Sequence, residues 1–69
     1  MERTPVTSTD IRAIGYDQDS QTLEVEFNTG SVYQYTGVPI SEYDSLMNAD
    51  SKGKYFNSNV KNIYSYMKL

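Results

Sequence analysis

The chain has 69 residues, no cysteine, no histidine and a formal net charge of −3. That length allows one domain, near the lower size at which a hydrophobic core suffices without staples. The missing residue types exclude a disulfide framework, a thiol nucleophile and the zinc sites built on cysteine or histidine. The opening MERTPVTSTD has no apolar leader, and no run of about 18 apolar residues occurs, so the expectation is a cytoplasmic chain with no membrane role.

Residues 1–8 are polar, contain Pro5 and show no periodicity, which reads as a flexible N-terminal arm before a single domain over residues 9–69. A first strand is expected over Asp10 to Tyr16. There Ile11 and Ala13 fall on one face and Arg12, Ile14 and Tyr16 on the other, an imperfect alternation that a bulge near Gly15 would reconcile. The polar run DQDSQ then turns the chain. Thr22 to Phe27 is the cleanest strand, with Leu23, Val25 and Phe27 alternating against Glu24 and Glu26.

Asn28, Thr29 and Gly30 form the next turn, and SVYQYTG the third strand. A two-residue loop of Thr29 and Gly30 would set Glu26 opposite Tyr33 and Glu24 opposite Tyr35, turning both tyrosines to the wet face. It would also force a β-branched threonine to positive φ. A three-residue loop ending in a left-handed Gly30 instead sets Val25 opposite Tyr33 and Leu23 opposite Tyr35. Turn chemistry and the separation of apolar from polar residues both favour this second register, with the tyrosines leaning inward.

After Gly37 the apolar period changes. Pro39 stands near a helix start, Ser41 is a candidate N-cap, and Ile40, Tyr43, Leu46 and Met47 follow helical spacing, so a helix is expected over Ser41 to Asn48. Ser51 can cap a short turn that Gly53 keeps from extending. Asn57 or Ser58 is then expected to cap a last helix with Val60, Ile63, Tyr64 and Met67 inward. The fold class is α+β: a three-stranded antiparallel meander followed by two or three short helices packed on one face of the sheet.

Charge is unevenly distributed. All nine acids lie within residues 1–50, whereas residues 51–69 hold Lys52, Lys54, Lys61 and Lys68 and no acid. The candidate binding surface is therefore the segment SKGKYFNSN with the lysine that follows. Lys52, Lys54 and Lys61 suit phosphates, Asn59 suits sugar or base edges, and Tyr55 suits an unpaired base. Phe56 and Asn57 read as sheet packing and helix capping. SKGK lacks the spacing of a phosphate-cradling loop, and DQDSQ leads to Thr22 and Asn28 where a calcium loop needs glycine and glutamate. Hydroxyl nucleophiles have no histidine base, so no enzyme and no cofactor are expected.

Taken together, IRAIGYD, TLEVEF, VYQYTGVP, a helix and NADSKGKYFNSNVKNIY resemble the KTSC domain, over about Val6 to Tyr64. The Y-x-Y of that pattern falls on Tyr33 and Tyr35, its V-P on Val38 and Pro39, and its S-x-G-x-Y-F-N run on Ser51, Gly53, Tyr55, Phe56 and Asn57. With Gly30, the residues Tyr33, Tyr35, Pro39, Gly53, Phe56 and Asn57 read as the architectural signature. The family occurs at the C-terminus of some lysyl-tRNA synthetases and as stand-alone bacterial proteins. The resemblance implies a small interaction module with tRNA-like RNA as the expected partner. The alternative is a protein partner at a sheet edge or aromatic surface, with the chain a monomer or weak homodimer.

Overall fold

A computed structural model describes residues 1–69 and places five strands and two helices along the chain. The strands are β1 (Arg3–Pro5), β2 (Ile11–Asp17), β3 (Thr22–Phe27), β4 (Val32–Tyr35) and β5 (Tyr66–Lys68). The helices α1 (Ile40–Met47) and α2 (Lys52–Asn59) lie between β4 and β5 in sequence. All strands pair antiparallel, in the order β1-β2-β3-β4-β5. The expected three-stranded meander is thus corrected to a five-stranded sheet with two helices.

The two added strands come from segments read otherwise. Arg3–Pro5, expected within a flexible arm, pairs with Ala13–Gly15. Tyr66–Lys68, expected within or beyond a final helix, pairs with Tyr33–Tyr35. The final helix fails because α2 has already begun at Lys52, and Asn62 takes a left-handed φ of 67° that ends any helical continuation. Val60 closes α2 and is fully buried, but Ile63 and Met67, expected inward, are exposed.

The hairpin between β3 and β4 follows the three-residue loop. Val25 stands opposite Tyr33 and Leu23 opposite Tyr35. Gly30 takes a φ of 95°, the Phe27 amide donates to the Ser31 carbonyl at 2.9 Å, and the Gly30 amide donates to the Phe27 carbonyl at 2.9 Å. The imperfect alternation of β2 is also resolved by a bulge, but at Arg12 and not at Gly15. Ile11 pairs with Phe27, Ala13 pairs with Glu26, and Arg12 is the extra residue. Ile11 and Ile14 therefore both reach the helical side despite their odd spacing.

Gly15 serves another purpose. A Cβ there would stand 2.8 Å from the Glu2 carbonyl oxygen, so only glycine lets the N-terminal segment cross so closely. Gly53, expected to halt a helix, lies inside α2, whose N-cap Ser51 accepts from the Lys54 amide at 3.3 Å. The cost of helical glycine is offset by packing: a Cβ at Gly53 would stand 3.3 Å from Asp10 Oδ2. α1 begins one residue before the expected Ser41 cap. Pro39 occupies the cap position without a side-chain bond, and its carbonyl accepts from Glu42 and Tyr43.

The core forms where one sheet face meets the helices. Ile11, Ile14, Leu23, Val25 and Tyr35 from the sheet pack with Val38, Leu46, Phe56 and Val60. Each aliphatic side chain buried this way contributes roughly 1.5–3 kcal/mol, so this one layer carries most of the favourable term. The opposite sheet face is ionic. Glu24 is buried with both oxygens occupied, by Arg3 Nη1 at 3.2 Å and by Gln34 Nε2 at 2.8 Å. Glu26 faces Arg12 at 3.3 Å. No helix is long and apolar enough to cross a membrane.

Candidate functional site

A cleft of about 430 Å³ opens between α2 and the β3–β5 part of the sheet. Strand alternation and cross-strand register build it. Tyr33 and Tyr35 project toward the helical side from β4, and β5 places Tyr66 opposite Tyr35 and Lys68 opposite Tyr33. The Tyr66 ring centroid lies 5.6 Å from that of Tyr33 and 5.9 Å from that of Tyr35. Behind them, Phe56 meets Tyr35 edge-on at 5.4 Å and Phe27 meets Tyr33 edge-on at 5.7 Å. These are favourable aromatic geometries that fix the ring positions.

The rest of the lining is polar. Asn57 looks onto the cleft from α2, and Lys61 and Asn62 do so from the bend that follows. The hydroxyls of Tyr33, Tyr35 and Tyr66 have no hydrogen-bond partner in the protein; no buried side-chain polar atom is left unpaired, so those of Tyr33 and Tyr35 reach solvent, and all three residues line the cleft. Burial, followed by the neighbouring Tyr33 and Tyr66, pushes the Tyr35 phenol up to about 12. It therefore stays a neutral donor across the physiological range.

A second group of tyrosines is closed. The Tyr16 hydroxyl donates to the Val38 carbonyl, and its ring stacks on Tyr43 at 4.8 Å. Tyr55 and Tyr64 both donate to the carboxylate of Glu42, Tyr64 at 3.1 Å. The Tyr55 phenol is raised chiefly by its bond to Glu42, and those of Tyr16 and Tyr64 chiefly by burial.

The five residues expected to bind nucleic acid do not share one surface. Lys52 is half-buried and donates to the Ala49 carbonyl at 3.3 Å. Lys54, two residues along α2, points to a different side and is exposed. Tyr55 is held by Glu42, and Asn59 donates to the Tyr55 carbonyl at 3.2 Å. Lys61 alone of the five lines the cleft. It is joined there by Tyr33, Tyr35, Phe56 and Asn57 from the architectural set. Asn57 does not cap a helix; it lies within α2 with its side chain exposed.

Tyr66 and Asn62 were not among the expected site residues. The signal for Tyr66 was available in YSYMK, which alternates as VYQY does. No three histidine, cysteine, aspartate or glutamate side chains converge into a metal-binding group.

Comparison with known proteins gives a consistent result. The profile of the KTSC domain matches residues 7–64. An uncharacterized protein of Stutzerimonas stutzeri is 44% identical over 57 residues, covering 83% of this chain and 80% of that protein. A lysine–tRNA ligase of Nostoc punctiforme is 44% identical over 59 residues, covering 86% of this chain but only 10% of the ligase. The crystal structure of a KTSC domain protein from Yersinia pestis superposes with a TM-score of 0.96 at 40% identity, covering 99% of this chain and 96% of that one. Sequence, fold and the matched span agree that the chain belongs to the KTSC domain family.

Proposed function

We propose that this domain is a non-enzymatic RNA-interaction module that uses the open tyrosine cleft and the lysines around it. The observation that carries the reading is the pairing of a solvent-open aromatic wall with Lys61 and two carboxamides in one concavity. Aromatic faces stack on unpaired bases, amides read base edges, and lysines neutralise phosphate. The lysine–tRNA ligase relatives lend support through their substrate, although the matched segment is a small share of each enzyme.

The test is a titration of labelled tRNA against the domain at several salt concentrations. Affinity is expected to fall steeply with salt, and Lys61→Gln or Lys68→Gln to lower the slope by roughly one unit or less each. No complex above background at low salt would reject the reading. A protein partner adding a strand to β5 is the second reading, favoured by the exposure of Tyr66, Met67 and Leu69 on that edge. Partner capture that survives nuclease treatment and high salt would select it.

A further inference from the structure

Resting on the RNA reading, we propose that the cleft seats a single unpaired nucleobase, with Lys61 on the adjoining phosphate. Three independent features point to a base. The Tyr66 side of the wall is 61% exposed, so one aromatic face is free for a planar ligand, while Tyr35 beside it is 4% exposed and fixed. Phenol hydroxyls and the Asn57 and Asn62 amides supply both donors and acceptors, which is what the edge of a base requires. The side chains of Tyr33, Tyr35, Asn57, Asn62 and Tyr66 neither donate nor accept a hydrogen bond within the protein, so a ligand displaces no internal partner.

Size and charge narrow the occupant. About 430 Å³ is near the lower end for small-ligand sites, suited to one nucleotide and not to a stacked run. The other tyrosine group cannot extend the platform, because Tyr55 and Tyr64 are tied to Glu42. An aromatic cage for a quaternary ammonium is disfavoured, since Lys61 stands in the wall and would repel it. Asp10 also borders the cleft, but its carboxylate packs against Gly53 in the first turn of α2, where the helix dipole favours negative charge. The cation that faces the opening is thus Lys61, with Lys68 across from Tyr33.

The experiment titrates the isotope-labelled domain with the four ribonucleoside 5′-monophosphates and, as a control, ribose 5-phosphate, following backbone and side-chain amide resonances. Nucleotides are expected to move Asn57, Asn62 and Tyr66 in a saturable way, and ribose 5-phosphate to leave them in place. Tyr66→Ala is expected to weaken nucleotide binding about tenfold, the scale of one lost stacking contact. Because that change touches β5, Tyr66→Leu and Asn57→Ala are measured beside it, with dispersed spectra verifying the fold.

Equal shifts from ribose 5-phosphate and nucleotides would overturn the base seat, as would Tyr66→Ala and Tyr66→Leu both binding within twofold of the parent. If tRNA binds with a lysine-dependent salt slope while these variants have no effect, the base seat falls and the RNA reading stands. If nucleotides occupy the cleft but tRNA does not bind at low salt, the RNA reading falls alone.

Discussion

Tyr16 on β2 and Tyr66 on β5 belong to one row of the sheet, running through Leu23 and Tyr35, yet their environments are opposite. At the β2 end the phenol is bonded to the Val38 carbonyl and the ring is stacked on Tyr43. At the β5 end the ring is open and its hydroxyl is free of protein partners. The same residue type therefore fastens α1 to the sheet at one side and lines a cleft at the other. What separates the two uses is whether the hydroxyl is consumed internally, since a phenol already bonded has little left to offer a ligand.

Tyr35, between these ends, should behave as core. Tyr35→Ala is expected to cost ~3 kcal/mol or more, measured by urea unfolding. A loss below about half a kcal/mol would put Tyr35 with the surface residues and erase the distinction. Glu42→Ala is the counterpart for the closed group. Two phenols would lose an ionised acceptor at once, and about 2 kcal/mol is expected from the same measurement.

Alkaline pH should act on both groups through their raised phenols. A folded-state value above the unfolded one means the neutral form is favoured in the native protein. The associated stability is fully present below the ordinary tyrosine value of about 10 and lost as pH rises through the folded values, which for Tyr35 reaches about 12. Thermal unfolding should be insensitive to these phenols from neutrality to about pH 9, then decline, least in the Tyr35→Phe variant. The smallest effect on stability is expected from Tyr66→Ala, within about half a kcal/mol, because the residue is 61% exposed. Loss of nucleotide binding without loss of stability would define the open group.

How much of this was legible in the sequence differs by element. The inward lean of Tyr33 and Tyr35 followed from Asn28-Thr29-Gly30, because threonine at positive φ is disfavoured and the alternative loop left only glycine there. A break in β2 was visible from the parity of Ile11 and Ile14, but its location at Arg12 depended on cross-strand pairing. The three-residue strand β1 is too short to show a period and Pro5 obscured it, while the alternation of YSYMK at β5 was masked by the competing helical spacing of Val60, Ile63, Tyr64 and Met67. That spacing holds only in part: Val60 and Tyr64 do pack on the core, whereas Ile63 and Met67, beyond the left-handed Asn62, are exposed. The cleft was legible only in part. Tyr33, Tyr35, Phe56 and Asn57 were marked by their motif, whereas Tyr66 and Asn62 join them only once β5 returns to the sheet.

That return has a kinetic meaning. β2, β3 and β4 are linked by tight turns, but β5 reaches β4 only after both helices have been laid down. Loop closure of that span must precede any contact between Tyr35 and Tyr66, so β5 is expected to dock late in folding. As an exposed three-residue edge it should also be among the first segments to open, with amide exchange faster than in β2 and β3. The movable wall of the cleft is then the strand with the weakest hold on the fold, and ligand binding should slow exchange there before it changes anything in the core.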